Sequence, residues 1–243
     1  MLSARPPRPA SARCLQRVAS KSWSNCWPSN PTPFWHDQQW KAKVHAAFGD
    51  VDGAIRVIEA MRGPYAPDAA LSALAEQMLH EAGRSEEAYA RYAIAAHTAH
   101  TPIATFRAIA KSYPSINAQR ILGDLIASTP GQEGKWFATA KTLKQFDLAL
   151  ALAQRSAVEP KTLVRAASDH QKTQPAFALE VALVALHWMA RGAGYEITSA
   201  EVCAARDHAL AAGEAMAPGT QQHEAVVMKR IAECTTGSAP AAR

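Results

Sequence analysis

The chain has 243 residues, 48% of them hydrophobic, 19% charged and only 12 glycine. That length suits one large domain or a repeat array with a continuous core. Its alanine-rich balance favours an all-α protein, because alanine is the best helix former and lets helices approach closely. No run of eighteen unbroken apolar residues marks a membrane span, and the net charge of +5 is local. Arg5, Arg8, Arg13, Arg17 and Lys21 lie in residues 1–36 with no acid, so the other 21 Lys and Arg balance 21 Asp and Glu.

Residues 1–36 read as a disordered basic tail. Pro28, Pro31 and Pro33 beside Trp23, Trp27 and Trp35 suit no amphipathic presequence helix, which argues against targeting. The cysteines Cys14, Cys26, Cys203 and Cys234 are widely spaced, with no Cys-x-x-Cys pair and no signal peptide. They define no disulfide framework, and a reducing cytoplasm is the expected location.

From Trp40 onward the pattern becomes periodic. Ala54, Ala88, Ala118, Ala149 and Ala178 each follow a short polar turn, at separations of 34, 30, 31 and 29 residues. A near-fixed period of this size, with two helices per unit, marks a helical solenoid. The expected pairs are 38–48 with 51–61, 69–82 with 85–97, 103–112 with 115–128, 133–144 with 146–155 and 161–172 with 175–191. A last pair, 198–214 with 220–234, forms a cap. Gly83 can take the left-handed conformation that closes a helix, and Ser85, Ser115 and Asp147 are the expected N-caps. Thr198 with Glu201 makes a capping box. Ala176–Ala190, though it contains Glu180 and His187, reads as a buried helix. The domain therefore spans 37–234, with a disordered C-terminal tail over 235–243.

Gly83, Ala88, Tyr92 and Ala95 fall where a tetratricopeptide repeat places its turn glycine and packing residues, so residues 69–97 resemble that repeat. Ser72 replaces its tryptophan, and its later proline is displaced to Pro102. Tyr113–Ser156 and the stretch from Pro175 to Thr198 resemble an uncharacterised bacterial family of α-helical repeat proteins, over about 40–216. Some members of that family carry a zinc module of the SWIM type upstream. Its Cys-x-Cys and Cys-x-His pairs are absent here, so the resemblance implies a fold and no zinc. Taken together, these features give an all-α, right-handed α-solenoid of about six helical hairpins, tetratricopeptide-like, with a basic tail.

Motifs that could carry chemistry are incomplete. His97 and His100 would share a face on a continuing helix, but two imidazoles with only His80 nearby are too few for zinc. His80-Glu81 and His223-Glu224 each open a zincin signature, and Arg84 and Val227 stand where its second histidine belongs. Gly131–Lys135 has the wrong spacing for a phosphate loop and is followed by Trp136 in place of Ser or Thr. Gly192 and Gly194 lack the third glycine of a dinucleotide fingerprint. Cys203 reads as a small buried hydrophobe, and Tyr89, Tyr92, Trp136, Phe146, Phe177 and Trp188 as core. No catalytic, cofactor or metal residue is assigned, and the expectation is a protein that is not an enzyme. A solenoid presents a concave groove, which Tyr89, Arg91, Arg107, Lys111 and Arg120 are expected to line. The expected function is protein binding, with no membrane contact. Nucleic-acid binding through the basic tail is the alternative, because a neutral body offers no basic face. An enzyme of unknown type is the third reading.

Overall fold

The computed structural model describes residues 35–64, 66–219 and 221–235. The disorder expected of the two tails therefore falls almost wholly outside the described residues. All regular structure among them is helical, and the chain divides into two compact units, Met1–Thr98 and Ala99–Arg243.

The first unit holds α1 (Trp35–Ala47), α2 (Val51–Glu59), α3 (Asp68–Glu81) and α4 (Ser85–Ala96). Successive helices pack on one another, burying Ile55, Ile58, Leu71, Leu79, Ala88 and Tyr92 in one core cluster. The turns follow from local chemistry. Asp50 caps α2 by accepting the Gly53 N–H at 2.8 Å. Gly83 takes φ +76°, so the Arg84 N–H can reach back to the Leu79 carbonyl at 2.8 Å and close α3. Ser85 is not the N-cap. Arg84 holds that position without a side-chain cap, and the Ser85 hydroxyl lies 3.0 Å from His80 Nδ1.

The second unit runs through α5 (Pro102–Ser112), α6 (Ala118–Ala127), α7 (Phe137–Thr142), α8 (Phe146–Arg155), α9 (Pro160–His170), α10 (Pro175–Ala190), α11 (Ser199–Met216) and α12 (Gln221–Thr235). A short 3₁₀ turn, Glu133–Trp136, leads into α7. As the sequence requires, α10 is buried: it packs on α8, α9, α11 and α12, because a helix apolar on all sides needs neighbours on all sides. Glu180 is accommodated there by Arg230 of α12, which donates to both its oxygens at 2.7 Å. The capping box at α11 is formed as expected, with the Thr198 N–H donating to Glu201 at 2.8 Å.

Four of the five periodic alanines occupy one structural position. Ala54, Ala88, Ala149 and Ala178 are each the fourth residue of α2, α4, α8 and α10, and all are fully buried. Ala118 departs from the frame. Residues 113–116 close a turn, with the Ile116 N–H donating to Tyr113 O at 3.1 Å. The Asn117 side chain then caps α6 by accepting the Gln119 N–H at 2.8 Å. Asn117, not Ser115, starts the helix, Ala118 is its first residue, and buried Ile121 fills the fourth position. Asp147 lies in the first turn of α8 and Gln145 is its N-cap residue, so Asp147 does not cap.

Candidate binding groove

The incomplete motifs are placed as structural elements. Helix α4 ends at Ala96, so His97 and His100 do not share a helical face. His97 Nε2 instead lies 2.9 Å from Oε1 of Glu76, a buried carboxylate on α3. Among the described residues no group of three or more His, Cys, Asp and Glu could hold a metal ion. Gly134 belongs to the 3₁₀ turn and packs against the chain after α8, its N–H donating to the Ser156 hydroxyl at 2.5 Å. Trp136 and Phe137 are core, and Trp136 donates through Nε1 to the Thr129 hydroxyl at 2.9 Å. Cys203 is exposed, which corrects its reading as a buried hydrophobe. On α11 the buried stripe runs through Ala205, Ala209 and Ala212, and Cys203 falls off it.

The five groove candidates are distributed over both units. Tyr89 is buried within the first unit, so its ring packs inward. Arg91 is engaged by its own helix, donating to Glu87 at 2.9 Å and lying 5.0 Å from the Tyr92 ring centroid, and by Glu59 of α2 at 3.9 Å. Arg107, Lys111 and Arg120 belong to the second unit and are exposed, with Arg120 Nε 3.9 Å from Asp124 on α6.

Arg91 joins an ionic network that composition alone does not reveal. Arg84 ties Asp52 of α2 to Glu87 of α4, each at 2.6 Å. Glu59 of α2 accepts the Tyr92 hydroxyl at 2.6 Å and the Arg62 Nε–H at 2.8 Å. Arg62 also bonds Asp68 and donates to buried Ser72 at 3.1 Å, while its guanidinium lies 5.7 Å from the Tyr92 ring centroid. Burial and the hydrogen bond to Glu59 together push the Tyr92 phenol up to about 12. This face is internally satisfied: it locks α2 to α4 and offers little charge to a ligand.

A concavity among the described residues of the first unit lies between α1 and α3 and shares Asp52 and Arg84 with this network. Its volume is about 810 Å³. Ala46, Val51, Leu74 and Met78 supply an apolar floor, and Lys43, Asp50, Asp52, Glu81 and Arg84 a polar rim. The geometry has a local cause. The 48–50 turn carries the chain from α1 directly into α2, which packs on both α1 and α3, leaving the last turns of α1 and α3 to flank a trough. Asp50 is fixed on this rim by accepting both the Gly53 N–H and a contact from His45 Nδ1 at 2.9 Å. The His45 contact, followed by the bond from Gly53, holds its carboxyl below the usual carboxylate range. None of the five residues expected to line a groove lines this one.

The described residues form an all-helical fold carrying a mixed polar and apolar trough, and no described helix is long and apolar enough to cross a membrane. No family model matches the chain, and searches of curated proteins and of solved structures return no match.

Proposed function

We propose that the chain is a non-catalytic interaction protein that binds a segment of another protein in the trough between α1 and α3. The observation that carries this reading is the trough itself, about 810 Å³, with an apolar floor and a charged rim. A volume of this size accommodates several side chains, and the small apolar floor within a polar rim suits a partly polar protein segment rather than an apolar small molecule. The solenoid reading is supported by the packing: within each unit, the substantial contacts join helices of the same pair or of consecutive pairs. That is the contact pattern of a quasi-one-dimensional array. The resemblance to bacterial helical-repeat proteins points the same way, and the widely spaced cysteines, which define no disulfide framework, make a cytoplasmic location part of the proposal.

The test compares proteins recovered by the full-length chain with those recovered by Ala47→Trp. Ala47 is exposed and lines the trough, so the indole fills it without entering the core. A partner lost only with the variant supports the reading. Identical recovery by both chains refutes it, as does salt-dependent DNA or RNA binding that accounts for all capture.

A further inference from the structure

We infer that α5 of the second unit is a phosphate-binding edge, on which Arg107 and Lys111 hold the backbone of a double-stranded nucleic acid independently of its sequence. The even charge balance of residues 37–243 conceals a local excess. α5, α6, the 3₁₀ turn and α7 pack on one another as one block, and Pro102 to Thr142 contains five Lys and Arg against two Asp and Glu. Both acids are committed. Asp124 lies 3.9 Å from Arg120 on its own helix. Glu133 accepts its own backbone N–H and that of Gly131, and it lies beside Arg155 of α8. Lys141 is spent on Asp169 of α9, 3.8 Å away.

Arg107, Lys111 and Lys135 remain. All three are exposed, and none pairs with a carboxylate among the described residues. Lys135 lies 5.4 Å from the Trp136 ring centroid, a contact that leaves its charge available. Arg107 and Lys111 stand four residues apart on α5, so they share a face about 5–6 Å apart at Cβ. Buried Phe106 and Ile109 fix the inward side of that helix. The surrounding surface selects among polyanions. Among the described residues, no large hydrophobic side chain of this block is exposed, so nothing enters a bilayer interface or anchors a protein interface. Phe106, Tyr113, Trp136 and Phe137 are all buried, so no ring is offered for stacking on unpaired bases. What remains is exposed positive charge, which suits the regular phosphates of a duplex.

The experiment follows a fluorescein-labelled mixed-sequence duplex of about 20 base pairs by anisotropy, over roughly 50–200 mM salt, where phosphate contacts govern affinity. Every chain is full-length, with Arg5, Arg8, Arg13, Arg17 and Lys21 changed to Ser so that the basic tail contributes nothing. The expected result is that this chain still binds, more weakly as salt rises. Arg107→Gln with Lys111→Gln should weaken binding by about tenfold and lower the log–log salt slope by about two, ~0.9 per lost contact. Arg107→Lys with Lys111→Arg keeps both charges and should bind within about threefold of the parent. Arg165→Gln with Lys172→Gln removes equal charge from exposed, unpaired cations of the same unit outside the block. That control should change affinity by no more than about twofold. Equal weakening by the two Gln pairs overturns the inference, because it marks diffuse attraction. Loss of all binding once the tail is neutralised overturns it too, by making the tail the nucleic-acid element. Tighter binding of the matching single strand, or of phosphatidylserine vesicles, refutes the choice of a duplex and with it the inference.

Discussion

Two glycines give a matched pair of substitutions whose outcomes should differ in sign. A Cβ built on Gly134 would lie 2.7 Å from the Ser156 carbonyl oxygen and 2.9 Å from that of Ala157. Both are backbone atoms, and the Gly134 N–H is itself tied to the Ser156 hydroxyl at 2.5 Å, so neither side can step aside freely. Restricting the unfolded chain favours Gly134→Ala by about 0.4–1 kcal/mol. Overpacking opposes it by about 1–3 kcal/mol, and displacement of the hydrogen bond adds about 0.5–1.5 kcal/mol. The net expectation is a loss of roughly 1–3 kcal/mol. Gly123 is an exposed residue in the middle of α6, and a Cβ there would meet nothing within 4 Å. Gly123→Ala should therefore stabilise by about 0.5–1 kcal/mol, the helix-propensity difference. Urea unfolding of each full-length variant, followed by circular dichroism, reads both values in the transition that includes residues 99–243. If both variants are stabilised alike, the close approach of the 3₁₀ turn to the segment after α8 is wrong.

Four further outcomes follow from named groups. His187 is buried, its Nδ1 has no protein partner, and burial with the charge of Arg191 lowers its pKa. Below about pH 6.5 the unfolded chain takes a proton that the native site resists, so stability should fall on acidification by at most about 1.4 kcal/mol per pH unit from this group. His187→Leu should flatten that dependence between pH 7 and 5; an unchanged urea-midpoint profile would count against it. Tyr92 has its phenol raised from 10.0 to about 12 by burial and Glu59, so it stays neutral where the unfolded phenol ionises. Stability should decline above pH 10, by on the order of 2–3 kcal/mol at the limit, and Tyr92→Phe should remove that share of the loss. Arg230→Ala leaves half-buried Glu180 uncompensated and should cost about 1–3 kcal/mol, with faster amide exchange in α12. The double variant with Glu180→Gln should lose less than the sum of the two singles. Thr139 buries a hydroxyl with no protein partner, and Thr139→Val should be neutral or stabilising by up to about 1–2 kcal/mol in the same urea assay.

The helices were legible because their causes lie within a few residues. Alanine content, Gly83 at a positive φ and the Thr198–Glu201 box act locally, and each does in the fold what its chemistry demands. The continuous apolar run of α10 likewise announced its burial. Where two local signals competed, spacing misled. The alanine frame drew α6 to start near Ser115, whereas Asn117 wins because its carboxamide accepts the Gln119 N–H after the turn at Pro114. Cys203 was misread because its helix is alanine-rich on several faces, so composition does not reveal which face turns inward.

Sequence by itself thus determined that the described residues are helical, the turn at Gly83, the start of α11 at Thr198 and four equivalent buried alanines. Tertiary structure alone decided which charges are available. Arg91 and Arg84 look free along the sequence, yet Glu59 and Asp52 reach them from a helix some thirty residues away. The trough has the same origin. Its floor joins Ala46 and Val51 to Leu74 and Met78, residues brought together only because α2 packs on both α1 and α3. Local propensity sets what each segment becomes, whereas a concave surface and the pairing of its charges depend on how segments distant in sequence pack.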